Sequence, residues 1–359
     1  MIPNPPNPPL NQPPALPPVY FPPPMFTPVA ASSRVGGFAR AIFTTFAIVL
    51  FGASLSLNGY LLVLQGLLGG EQSQFEQSVL TDGDMKTQIA VVKIDGMIVE
   101  EEAERFSKLL DEVESNQNVR ALVVQVNTPG GTVTASDAIH ARLLRWKQER
   151  GTPVYLSMGE MATSGGYYIA CAADRVYAHR TTWTGNIGVL LPRLSLAKLG
   201  DKYGIEDQTI ASTGADFKDA GSMWKNDTPE ETAYWQGLAD EAFVLFKQVI
   251  VDGRRLDPAV VDSIANGKVY SGDQAKKLKL IDDVGTVDDA IAAAANQVNV
   301  TRPHVVRYER TTGFLEALGG QTSQPKRVST SVGGMDISVD QSLLESWFAH
   351  KPMYLWRAH

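Results

Sequence analysis

Ser164 stands in "MATSGGYYIACAAD", residues 161–174, between a threonine and two glycines. A serine there is either a turn residue that hands a strand over to a helix, or a nucleophile. A serine hydroxyl attacks weakly at its own pKa and needs a base to take its proton. A second stretch, "VNTPGG" at 126–131, has the same form: an apolar run, then a Gly-Gly turn. In an open parallel sheet, sites lie at the carboxyl ends of strands, where loops turn into helices. Each stretch ends a strand and opens a helix, so each offers backbone N–H groups without helical partners, and glycine lets a ligand approach closely. A tetrahedral oxyanion wants two such donors about 3 Å away. Gly131 and Gly165 are the natural pair. Paired glycines also simply make tight turns. The weight lies in two such turns after successive strands, one preceded by serine.

The base is harder to place. The five histidines are His140, His179, His304, His350 and His359, and none sits in a triad-like loop. His140 falls within a helix, on its expected solvent side. His179 follows a strand, but no Asp stands in an orienting position. A Ser-Lys pair is the alternative. Lysine serves as a base only if its pKa falls, which burial and distance from carboxylates provide. Lys218 lies in "TGADFKDAGSMW", among small residues and flanked by Asp216 and Asp219. Taken alone it reads as an ordinary surface lysine.

Other side chains read as structural. Cys171 is the chain's single cysteine, so it forms no intramolecular disulfide; it reads as a small core hydrophobe. Tyr167 and Tyr168 read as packing residues. Trp183 and Trp224 either line a groove or pack in the core. No His/Cys/Asp/Glu spacing suits a metal and no phosphate-binding motif is present, so no cofactor is expected. The net charge of −7 and the lack of a Lys/Arg cluster leave no footprint for nucleic acid.

The positioning elements follow from hydrophobic patterning. "IAVVKIDGMIV", "VRALVVQVNTPGG" and "PVYLSMGEM" read as strands, "RVYAHRTTWTGNIGVL" as a strand and loop, and "EAERFSKLLDEVESN", "TASDAIHARLLRWKQER" and "SGGYYIACAAD" as the helices between them. Strands alternating with helices imply right-handed crossovers and a mostly parallel sheet. "TPEETAYWQGLADEAFVLFKQVIVDGRR" reads as one long helix with Thr228 as N-cap and Glu231 three residues on, a capping box. "DDAIAAAANQVNV" is another helix. After about Thr311 no period is sustained, and the sequence predicts a loose tail with a short helix at "SLLESWFAH".

Residues 1–35 form a Pro-rich tail, extended and without a core of its own. No charged residue occurs between Arg40 and Glu71. A bilayer core needs roughly 20 apolar residues, and residues 41–64 supply them. About 40 residues precede this run, which argues against a cleaved signal peptide. Arg34 and Arg40 on the N-side, with Glu71, Glu76, Asp82 and Asp84 on the C-side, put the tail in the cytoplasm and the rest outside. The expected organisation is tail 1–35, transmembrane helix 41–64, linker 71–86, enzymatic domain 87–300 and C-terminal extension 301–359.

From about Ile89 to Asn296 the chain resembles the signal peptide peptidase A family, of the Clp-protease/crotonase-like fold group. "VNTPGGTVTASDAI", "SMGEMATSGGYYIACAADRVYA", "TTWTGNIGVL", "TGADFKDAGS" and "GKVYSGDQAKKLKLIDDVGTVDDAI" occur in the family's order. The resemblance implies an α/β fold with a parallel sheet and flanking helices, preceded by a membrane anchor. It places the nucleophile on Ser164, the general base on Lys218, and the oxyanion turn on Gly130-Gly131, joined by the amide of Gly165. It also implies a homo-oligomeric ring with sites shared between subunits, and released signal peptides or small unfolded segments as substrates. In "TGNIGV" Asn186 stands where the family has a serine that supports the lysine; Thr184 and Ser222 are other candidates for that support. Lys225-Asn226 replaces an Arg-containing run.

The expected function is therefore a membrane-anchored serine endopeptidase. The rival readings are an inactive scaffold relative, an acyl-CoA enzyme of the same fold group, and an adaptor recruited by its Pro-rich tail.

Overall fold

The structure is a computed structural model of the chain; it describes residues 34–68, 75–310, 327–332, 335–340 and 353–355. The chain divides into two compact units, residues 1–72 and 73–359. The Pro-rich tail and the helix expected at 342–350 lie outside the described residues.

In the first unit the described residues form one helix, α1 (Arg34–Leu68). Its segment Ile42–Leu61 has a mean hydropathy of 1.6 over 20 residues and no buried share. At 1.5 Å per residue that segment is about 30 Å long, the thickness of a bilayer's hydrocarbon core. Polar side chains in this stretch turn back onto the helix itself. Thr44 Oγ1 donates to the Arg40 carbonyl at 3.0 Å, and Asn58 Nδ2 donates to that of Ser54 at 2.7 Å.

The second unit opens with strands β1 (Phe75–Thr81) and β2 (Asp84–Asp95). It then alternates through α2 (Glu100–Ser115), β3 (Val119–Thr128), the short β4 (Gly130–Thr132), α3 (Val133–Arg150), β5 (Val154–Thr163), α4 (Gly165–Ala170), β6 (Arg175–Ala178) and β7 (Trp183–Gly185). After a long connection follow α5 (Ala197–Tyr203), α6 (Pro229–Arg254), α7 (Pro258–Ile264), β8 (Val269–Ser271), α8 (Gly272–Lys277), β9 (Asp283–Val284), α9 (Val287–Gln297) and β10 (Pro303–Arg310). A hairpin of β11 (Arg327–Val332) and β12 (Met335–Asp340), and the strand β13 (Met353–Leu355), are the last described elements.

The main sheet runs β1-β10-β2-β3-β5-β6-β9, with β7 on β5 and β8 on β7. Pairing is parallel from β10 to β9 and antiparallel at β1–β10 and β7–β8. Successive side chains of a strand face opposite sides, and both sides are buried here. Ala90, Val92 and Ile94 of β2, with Leu122, Val124 and Val126 of β3, pack under α2, α3, α4 and α6. Ile89, Val91, Ala121 and Val123 meet Ala290, Ala294 and Ala295 of α9 on the other face. Burial on both faces is why these strands read as continuous apolar runs.

The expected helices form close to their predicted bounds, and their caps explain where they start. Thr132 caps α3 by accepting from the Ala135 amide, and Thr228 with Glu231 closes a capping box on α6. Two boundaries change. The sheet takes β1 from the segment expected to be a linker and β10 from the expected C-terminal extension. Pairing between residues more than 200 apart builds this edge, which no local pattern encodes. The tail read as loose carries the β11–β12 hairpin, whose strands pair over six residues each.

Candidate active site

Two connections at the carboxyl ends of β3 and β5 build the site. After β3, the Thr128 hydroxyl accepts the Gly130 N–H at 3.0 Å, and Gly130 takes φ 105°, a backbone region open to glycine. The Ile98 N–H donates to the Gly130 carbonyl at 2.9 Å, and the Thr132 N–H donates to the Ile98 carbonyl at 2.8 Å. Both bonds use one edge of β4. Backbone groups alternate edges along a strand, so the N–H and C=O of Gly131 face the other edge. A Cβ on Gly131 would lie 1.8 Å from the Ile98 carbonyl oxygen, so only glycine fits. The opposite edge of β4 pairs antiparallel with β13, with Tyr354 across from Gly131 and Leu355 across from Gly130.

After β5, the chain turns sharply at Ser164, which has φ 54° and ψ −112°. A non-glycine residue held there stores backbone strain, and such strain clusters at functional sites. Its backbone is fixed on both sides: the Ser164 N–H donates to the Gly185 carbonyl at 2.8 Å, and its carbonyl accepts the Tyr168 N–H at 2.9 Å. The side chain is 0% exposed, and Oγ has no hydrogen-bond partner among the described residues. Gly165 then opens α4, where the first N–H groups have no helical acceptor. The Cβ position of Gly165 lies 3.3 Å from the Gly131 nitrogen, 3.4 Å from Gly130 Cα and 2.4 Å from Ser136 Oγ. The fold thus brings Ser164, Gly165, Gly130 and Gly131 to one place.

No hydrogen bond joins Lys218 to Ser164 among the described residues. Lys218 is exposed, and its ammonium makes no ion pair or hydrogen bond among the described residues. Its N–H donates to the Ala215 carbonyl at 2.9 Å in a local turn. Of the neighbouring carboxylates, Asp219 is engaged by Lys225 at 2.9 Å, and Lys225 also binds Glu231 at 2.7 Å. Asn186 adopts φ 52°, which asparagine tolerates. Its Nδ2 donates to the Gly267 carbonyl at 2.7 Å and its N–H to that of Lys268 at 2.8 Å, so it anchors the 266–268 turn. Thr184 donates to the Ala162 carbonyl and Ser222 to Asp207, so neither supports the lysine here.

The expectation of a solvent-facing His140 is corrected. It is 8% exposed and stacks edge-on against Tyr168, whose hydroxyl donates to Asp137. Helix α3 lies between α2 and α4, so more than one of its faces is covered. Burial lowers His140 to about 4. His179 is exposed after β6. Cys171 is buried and its thiol is pushed up to about 12 by burial, an inert core group. Tyr167 is fully buried and donates to the Leu280 carbonyl. Trp183 and Trp224 lie on the surface, not in the core. Sequence reasoning missed Ser136 and Ile98, which touch the glycine turns. A small polar residue in the first turn of the helix after "TPGG" is the signal that marks Ser136.

A model of peptidase family S49 matches residues 146–301, and a Clp protease model matches residues 78–183. The first spans Ser164 and Lys218; the second spans both glycine turns. "Putative protease slr0021" of Synechocystis sp. is 30% identical over 274 residues, 76% of this chain and 97% of that protein. The chain belongs to peptidase family S49. This S49 chain is also 29% identical to "Putative signal peptide peptidase SppA" of Enterococcus faecium, over 79% of its own length and 85% of the relative's. Chloroplastic serine protease SPPA of Arabidopsis thaliana is 31% identical over 67% of the chain, which spans 34% of that relative. Among solved structures, a membrane-bound stomatin-specific protease in complex with a substrate peptide matches with a TM-score of 0.41 and 18% identity, over 65% of this chain and 95% of that one. Membership in S49 makes the chain a serine peptidase with a mixed α/β sheet and flanking helices.

Proposed function

We propose that this S49 chain is a membrane-anchored serine endopeptidase acting through Ser164 and Lys218. The observation that carries the reading is the strained turn at Ser164, whose hydroxyl has no partner among the described residues and whose neighbour Gly165 has its Cβ position 3.3 Å from the Gly131 nitrogen. Neutral Lys218 takes the Ser164 proton as Oγ attacks the scissile carbonyl. The amides of Gly131 and Gly165 receive the oxyanion, where one donor is worth a factor of about 10²–10³ in rate. The ammonium of Lys218 then protonates the leaving amine, and water hydrolyses the acyl-enzyme.

The lysine comes from a neighbouring copy. Lys218 is exposed beside Phe217, which is 48% exposed, and the surrounding segment also exposes Tyr203, Ile210 and Trp224. Covering that apolar surface with a second copy removes water from the ammonium, and desolvation lowers a lysine's pKa toward a working base. Asn186 keeps its Oδ1 to accept from that lysine while Nδ2 stays on Gly267.

Helix α1 crosses the membrane, with the Pro-rich tail cytoplasmic and the peptidase unit outside. The reading draws on the apolar length of Ile42–Leu61 and on Arg34 and Arg40 at its N-side. A site tethered at the bilayer suits released signal peptides and small unfolded segments. That β4 accepts an antiparallel strand supports extended peptides as substrates, bound by strand addition.

A fluorophosphonate probe tests the nucleophile. It labels the wild-type chain at Ser164 and leaves Ser164→Ala unlabelled; equal labelling of both removes Ser164 from the mechanism.

A further inference from the structure

Resting on that reading, we propose that Ser136 is a positioning residue that sets the separation of the two oxyanion amides. Ser136 lies in the first turn of α3, four residues after Thr132 of β4, and is fully buried. Its Oγ donates to the Thr132 carbonyl at 2.8 Å, so the hydroxyl is locked to the end of the glycine strand. The same Oγ stands 2.4 Å from where Gly165 would carry a Cβ. Ser136 is therefore a spacer between two independent turns: one ends β4 and opens α3, the other ends β5 and opens α4. The Gly131 nitrogen lies 3.3 Å from the same point over Gly165. Ser136 Oγ and the Gly131 nitrogen thus both crowd the same point over Gly165.

Of the other braces, Thr128 also reaches both turns, its hydroxyl accepting the Gly130 N–H and its Cγ2 lying 2.5 Å from the Cβ position of Gly166, whereas two act on one turn each. Ile98 holds Gly130 and Thr132, and Gly185 holds Ser164. Ser136 touches both turns. Without its hydroxyl, the Thr132 carbonyl loses a donor and a gap opens over Gly165. The two turns then shift relative to each other, and a misplacement near 1 Å can cost about a hundredfold in rate. The loss falls on the tetrahedral state, because only there does the substrate oxygen need both amides. Ground-state binding of an extended peptide along β4 does not use Ser136.

The test uses the full chain in detergent micelles, a fluorogenic peptide, and a peptide boronate that forms a tetrahedral adduct with the nucleophile. Ser136→Ala is expected to lower kcat about tenfold with KM unchanged, and to weaken the boronate by the same factor. A purely structural residue would lower the fraction of active chain and leave the boronate affinity of the remainder untouched. Gly165→Ala provides the second reading of the contact. It brings a Cβ against Ser136 Oγ and is expected to lose nearly all turnover, with part of it recovered in Gly165→Ala/Ser136→Ala. The proposal is overturned if Ser136→Ala keeps kcat and boronate affinity within twofold of wild type, or if kcat drops while the boronate does not. It is equally overturned if the double variant is no better than Gly165→Ala. Ser164→Ala separates the two levels: if it turns over peptide like wild type, the peptidase reading itself has failed; if it is dead while Ser136→Ala is normal, only the spacer role is lost.

Discussion

The glycine turns and the lysine-bearing connection are built in opposite ways. Around Ser164 every constraint is internal and dry: β4 is pinned to Ile98, Ser164 to Gly185 and Tyr168, and Gly165 is packed against Ser136. Between β7 and α6 the chain carries one seven-residue helix, α5, and exposes apolar side chains, with Ile210 at 95%. Its hydrogen bonds are mostly short-range turns, such as Lys218 to Ala215 and Ser222 to Asp219. On the proposed mechanism, the half of the site that stabilises charge is finished within one chain, and the half that moves the proton is displayed outward and needs a surface to cover it. A buried lysine lacking a partner is costly, whereas an exposed lysine costs nothing until assembly.

The contrast can be broken at either end. Ser164→Ala has the largest expected effect, a loss of kcat/KM of about 10⁴ or more in peptide hydrolysis. Lys218→Ala is expected to cost about 10²–10⁴ in kcat. Mixing Ser164→Ala chains with Lys218→Ala chains is expected to restore part of the activity; strict inactivity of the mixture after subunit exchange would place both groups in one copy. Gly131→Ala, with its Cβ against the Ile98 carbonyl, is expected to lose about 10²–10³ in rate and to melt at lower temperature. Away from the site, Thr228→Ala removes the capping box of α6 and is expected to cost about 1 kcal/mol by denaturant unfolding.

A further effect is one of pH. Burial holds folded His140 at about 4, against an unfolded value of about 6.5. The unfolded chain therefore takes up the proton first as pH falls. Stability is expected to drop between about pH 6.5 and pH 4, and His140→Gln is expected to flatten that part of the curve. An unchanged slope in the variant would assign the loss to other groups.

What was legible in the sequence is what local rules encode. Thr228 and Glu231 declare the start of α6 because a capping box needs only three residues of separation. The Gly-Gly turns declare themselves because glycine is required where backbone presses on backbone, as Gly131 does on Ile98. His140 was misread because helical periodicity shows a polar residue without showing how many neighbours cover it. β1 and β10 were assigned to a linker and an extension because their pairing joins residues more than 200 positions apart. Ser136 was passed over because its importance lies in a contact with Gly165, 29 residues further on, across two secondary elements. The role proposed for Lys218 rests on family resemblance alone, since a lysine's chemistry depends on the water around it, which local sequence does not encode.

The strand at Met353–Leu355 has one more consequence. If peptides bind by strand addition as proposed, it lies along the same edge of Gly130–Thr132 that they would need. A competitor carried on the same polypeptide cannot be diluted away. The apparent affinity for a peptide then measures an exchange of one strand for another, and a weak substrate can fail simply because it does not displace the resident one.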